Sequence, residues 1–110
     1  MALTTTYSTA EPRRAEVDDM PGATVLEFGS PYCGYCSSAQ PAIATAFGPH
    51  QDVRHIKIAD GSGRPLGRSF GVKLWPTLVF LKDGKEVARL VRPREAAAIR
   101  QALQTVDSAH

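Results

Sequence analysis

Cysteine is scarce in this chain, with two among 110 residues, at positions 33 and 36. A disulfide-stapled scaffold is thereby excluded, because such scaffolds place many cysteines around one small core. Neither sign of charge is in excess: 13 Lys and Arg face 11 Asp and Glu, a net +2. The basic residues are scattered instead of forming a stripe, which removes the electrostatic case for nucleic acid. No apolar run approaches the roughly 18 residues that a membrane span needs. The first twenty residues hold Arg13, Arg14, Asp18 and Asp19 and offer no apolar segment for a signal peptide. The expectation is therefore a cytoplasmic protein. In that reducing setting a close cysteine pair serves catalysis or metal binding more readily than static crosslinking. Gly and Pro, 9 and 8 residues, are too few for a low-complexity chain, and 43% hydrophobic content suffices for a packed core. The length supports one domain over residues 1–110, with 1–22 its least patterned segment.

What is present reads as alternating strands and helices. Residues 1–10 alternate weakly, as an edge strand or a tail would. Residues 11–20 carry helix formers, with Pro12 suited to a first helical position and Pro21-Gly22 as the stop. The β-branched apolar run 24–28 reads as a buried strand interrupted by one carboxylate, Glu27. Over 33–47, Cys36, Ala39, Ile43 and Phe47 recur at helical spacing, with Pro41 predicted to kink the helix. A strand follows at 53–59, then a loop and a short helix at 65–70 closed by Gly71. Residues 77–81 suit a central strand, and Asp83-Gly84 a hairpin turn into a return strand at 86–91. Pro93 opens a last helix whose stripe is Ala96, Ile99, Leu103 and Val106. The predicted class is α/β, a central mixed sheet with helices on both faces.

The chemistry lies in Cys33-Gly34-Tyr35-Cys36, where the first clear strand gives way to the helix. Residues i and i+3 share a helix face, so the two sulfurs can join without much strain. A thiol at a helix N-terminus meets unsatisfied N–H groups and the positive end of the dipole, which favour the thiolate. Cys33 is expected to be the exposed nucleophile and Cys36, one turn inside, the resolving thiol. Half of a zinc site is the competing reading. It needs further ligands, for which only His50, His55 and His110 stand, none at paired spacing. The histidines and the Arg64/Arg68 pair are otherwise expected on the solvated surface.

Val25-Leu26-Glu27-Phe28, Cys33-Gly34-Tyr35-Cys36, Pro41, Trp75-Pro76-Thr77 and Lys82-Asp83-Gly84 together resemble the thioredoxin family over roughly residues 23–106. The resemblance implies the thioredoxin fold and a cis Trp75–Pro76 bond facing the cysteines, with the backbone beside Pro76 free to pair with an extended substrate. It implies a thiol–disulfide oxidoreductase that reduces protein disulfides, works as a monomer without a bound cofactor, and is recycled by a dithiol reductant such as a thioredoxin reductase. Glu27 matches a buried Asp of the family and is expected to take the proton of Cys36, if it does not point to a solvated edge. Lys57 is its possible partner from the neighbouring strand. Tyr32, Tyr35 and Trp75 form either an aromatic collar for substrate or part of the core. Arg92 stands where the family has a glycine lining the substrate groove, placing charge at the rim.

The Gly-Tyr dipeptide resembles bacterial disulfide isomerases more than thioredoxins proper and implies a more oxidising pair. Isomerase or oxidant is thus one alternative. A redox-inactive thioredoxin-like binding module is another, given the departures at Glu27, Tyr32 and Arg92. Without a signal segment or an added domain in the sequence, the reductase is favoured.

Overall fold

The computed structural model describes residues 6–7 and 11–107. The expected first strand and His110 lie outside these residues or largely so. The elements run α1 (Arg14–Asp18), β1 (Ala23–Gly29), α2 (Gly34–Phe47), β2 (Arg54–Ala59), α3 (Pro65–Ser69), β3 (Thr77–Lys82), β4 (Lys85–Val91) and α4 (Ala96–Val106).

Two helices start later than the sequence implies. α1 begins at Arg14 and not at Pro12, with the Arg13 amide donating to Glu16 Oε1 at 3.0 Å. α4 begins at Ala96 and not at Pro93, because the chain is still extended at its N-cap Glu95, with φ of −120° and ψ of 137°. α2 passes through Pro41 as one element.

The strand order is β2-β1-β3-β4, with β1 parallel to β2 and antiparallel to β3, and β3 antiparallel to β4. β1 and β3 are therefore internal, which explains why their sequences are apolar nearly throughout. Alternation along β1 divides its side chains between two cores. Val25 joins Ile43, Phe47, Ile99 and Leu103 beneath α2 and α4. Leu26 and Phe28 join Val17, Leu66 and Phe70 beneath α1 and α3. Glu27 and Gly29 share the face of Val25, so the carboxylate lies on the α2 side.

Asp83 and Gly84, with φ of 50° and 79°, form the two-residue hairpin loop between β3 and β4. Edge strand β4 carries Lys85, Glu86 and Arg89 and slips register after Phe80/Leu81, both features that discourage pairing with another sheet edge. No helix among the described residues is long and apolar enough to cross a membrane.

Candidate active site

The loop from β1 to α2 is shaped by Ser30. Its hydroxyl accepts the Tyr32 amide at 3.1 Å, and its carbonyl accepts the Cys33 amide at 3.2 Å. This turn delivers Cys33 to the N-cap of α2, where the Cys36 amide donates to Cys33 Sγ at 3.2 Å. Sulfur here takes the place of the usual Ser or Asp oxygen. An N–H at that distance, reinforced by the helix dipole, stabilises negative charge on Cys33.

Cys33 is partly accessible, whereas Cys36 is 1% exposed. Both are free thiols. Burial pushes the Cys36 thiol up to about 11, and its hydrogen bond to Cys33 acts in the same direction. The pair thus holds a partly accessible sulfur at the helix start and a buried one whose ionised form is disfavoured.

Strand register brings the second part of the site alongside. Phe28 of β1 lies opposite Thr77 of β3, so the Trp75–Pro76 segment enters the sheet at the end from which the cysteine loop leaves. The Trp75–Pro76 bond is cis. Trp75 is fixed by its indole N–H, which donates to Asp60 Oδ2 at 2.9 Å.

A sequence profile described as Thioredoxin matches residues 4–105. This chain belongs to the thioredoxin family. Thioredoxin 2 from Pseudomonas aeruginosa PAO1 in its reduced form superposes with a TM-score of 0.86 at 48% identity, over 98% of this chain and all of that one. A thioredoxin of Chlamydia muridarum is 37% identical over 71 residues, 64% of this chain and 69% of its own. The protein disulfide-isomerase A2 of Pongo abelii is 33% identical over 88 residues, 74% of this chain but 17% of its own. Thioredoxin H2 of Arabidopsis thaliana is matched over 57% of its length. The chain thus spans between about a sixth and somewhat over half of the first curated relatives it matches.

Within the thioredoxin fold, Glu27 is 0% exposed, which overturns the solvated-edge alternative. Lys57 lies directly across from it on β2, also buried, with Nζ 3.8 Å from Glu27 Oε2. Gln40, which the sequence did not single out, and His55, expected on the solvated surface, complete the cluster. Gln40 of α2 donates to Glu27 Oε2 at 2.9 Å and to the Cys36 carbonyl at 2.8 Å, and accepts from Lys57 Nζ at 3.0 Å. His55 Nε2 lies 2.9 Å from Glu27 Oε1, and its ring stacks 4.7 Å from that of Phe47.

The expectation of solvated histidines is wrong for His50 as well, which lies 2.6 Å from Asp107 Oδ2 in a buried pair. The physical reason is shared. Each ring faces a buried carboxylate from another element, a partner no local pattern reveals. The described residues hold no cluster of three or more metal-ligating side chains. A hint for His55 lay in strand period two, which puts it on the face of Lys57, and hence of Glu27.

The three aromatics lie outside both cores. Tyr32 is 95% and Tyr35 60% exposed on either side of Cys33, while Trp75 is half-buried. Arg92 sits over Tyr35, with its guanidinium 4.0 Å from the ring centroid, and its Nε donates to the Trp75 carbonyl at 2.8 Å. It therefore closes part of the rim, binding the collar residue on α2 to the segment before Pro76. A cleft of about 590 Å³ next to it is lined by Tyr35, Ser38, Ala39, Arg92, Pro93 and Arg94.

Proposed function

We propose that this chain is a thiol–disulfide oxidoreductase that reduces protein disulfides through Cys33 and Cys36. The observation that carries the reading is the asymmetry of the pair, one partly accessible sulfur at a helix N-cap receiving an N–H at 3.2 Å and one buried, with its ionised form disfavoured by that burial. Exchange runs through a thiolate attacking a disulfide sulfur. Cys33 Sγ attacks one sulfur of the substrate, the substrate S–S bond breaks, and the departing sulfur takes a proton. A mixed disulfide to Cys33 is left. Cys36 then loses its proton and attacks Cys33 Sγ, the mixed bond breaks, and the second substrate sulfur leaves as a thiol. Two electrons have moved from the dithiol to the substrate, and Cys33–Cys36 is the disulfide.

In this scheme Glu27, held among Gln40, His55 and Lys57, accepts the Cys36 proton. Tyr32, Tyr35 and Trp75 offer the substrate an apolar platform around the attacking sulfur, with Pro76 beside it and Arg92 setting charge at its rim. A dithiol reductant, such as a thioredoxin reductase, returns the pair to the thiol state. No bound cofactor enters any of these steps, and a reducing compartment suits them.

Reduction of insulin by dithiothreitol tests the reading. Catalysis by the wild type and its loss in Cys33→Ser are expected, and a wild type no faster than that variant would refute it. A Cys33/Cys36 potential near about −270 mV supports the reductase, whereas one above roughly −200 mV makes isomerase or oxidant the direction of use.

A further inference from the structure

Tyr7 has no part in the scheme above, yet its hydroxyl lies against the resolving cysteine. A Cβ built on Gly29 would fall 2.8 Å from Tyr7 Oη and 2.7 Å from Cys36 Sγ, so the hydroxyl and the sulfur converge over the same bare backbone. The hydroxyl is buried and makes no aligned hydrogen bond to any described residue. A buried donor left unsatisfied is costly and calls for an explanation. Lys57 lies over the phenol ring, its Nζ 4.4 Å from the centroid. The remaining charged or titratable groups acting on the hydroxyl are Glu27 and Cys33.

We propose that Tyr7 is a positioning residue for the resolving step, its O–H turning to donate a hydrogen bond to Cys36 Sγ as that sulfur gives up its proton. The inference rests on the exchange reading above. A donor left idle beside a neutral thiol becomes satisfied when the thiol turns into a thiolate, so the hydroxyl favours the reacting state over the resting one. The Tyr7 hydroxyl is itself pushed far up by burial, so it remains a donor throughout. Its proton is lent to the hydrogen bond and not transferred. The Cys36 proton goes to Glu27, the Cys36–Cys33 bond forms, and the bond from Cys33 to the substrate sulfur breaks. Gly29 is part of the device, since any side chain there would displace both atoms.

A symmetric aromatic disulfide whose released thiolate is coloured resolves the two half-reactions. Attack by Cys33 releases the first equivalent and resolution by Cys36 the second. In Tyr7→Phe the second phase is expected to slow roughly tenfold, the effect of losing one hydrogen bond to a charged group. Its rise with pH should move to higher pH, while the first phase keeps its rate. Tyr7→Leu, which also removes the ring, should slow the second phase no less. A second phase unchanged in Tyr7→Phe, or both phases slowed alike, overturns the proposal, as does an effect confined to Tyr7→Leu. Failure of the wild type to release two equivalents would strike at the exchange reading itself, and is seen without any Tyr7 variant.

Discussion

Two sulfurs three positions apart in sequence lie in very different surroundings. Cys33 stands partly in water at a helix start, and Cys36 lies in the protein with its ionised form disfavoured. That difference has a consequence for stability. Folding raises the Cys36 thiol from 9.0 to about 11, so below pH 9 both folded and unfolded states hold the proton and the group has no pH effect. As pH rises from about 9 to about 11, the unfolded chain releases it first and the reduced protein loses stability. Urea denaturation of the reduced wild type at pH 8 and pH 10.5 should show this loss, and Cys36→Ser a smaller one. Equal losses in the two proteins would remove Cys36 as the cause. At the same scale, Glu27 illustrates how far a local reading extends. Its place in an apolar strand is evident from the sequence, but its partners Gln40 and His55 come from residues 13 and 28 positions away.

At the scale of elements, the sheet has a reactive end and a structural end. β1 runs from Ala23, paired with Lys82 beside the hairpin, to Gly29 beside the cysteine loop. The hairpin turn docks on the α1–β1 connection: the Asp83 amide donates to the Gly22 carbonyl at 2.9 Å, and the Gly22 amide to Asp83 Oδ1 at 2.7 Å. Gly84 closes this contact with φ of 79°, and a Cβ there would collide with the backbone carbonyl of Asp18. Backbone offers no flexible side chain to yield. Gly84→Ala should therefore destabilise by about 1–3 kcal/mol in chemical denaturation. Its rate of Cys33 alkylation should stay at the wild-type value, because the turn and the cysteines lie at opposite ends of β1.

For the whole molecule, closure depends on α4, which packs on α2 and completes the larger core. Its C-terminal end is pinned by Asp107 to His50, in the connection from α2 to β2, at 2.6 Å with both side chains 3% exposed. Removing one partner of a buried polar pair takes a hydrogen bond from the other. Asp107→Ala should lose about 1–3 kcal/mol in urea denaturation. The double variant His50→Leu/Asp107→Leu should lose less than the sum of the two single changes. Strict additivity would mean that the contact does not couple the two ends.

Much of this molecule is written in periodicity and punctuation. Cys36, Ala39, Ile43 and Phe47 face the core as their spacing requires, Asp83-Gly84 turns the hairpin, and the cysteine pair sits where strand becomes helix. These are local properties, set by side-chain direction, backbone freedom and the charges of a helix end, and a sequence displays them. Helix starts at Arg14 and Ala96, the buried histidines, Gln40 as the link between Glu27 and Cys36, and Tyr7 above the resolving sulfur were settled only by the packed chain. Apart from the two helix starts, each depends on which distant polar group arrives opposite, and the cost of burying a polar atom is decided by that partner, not by its neighbours in sequence.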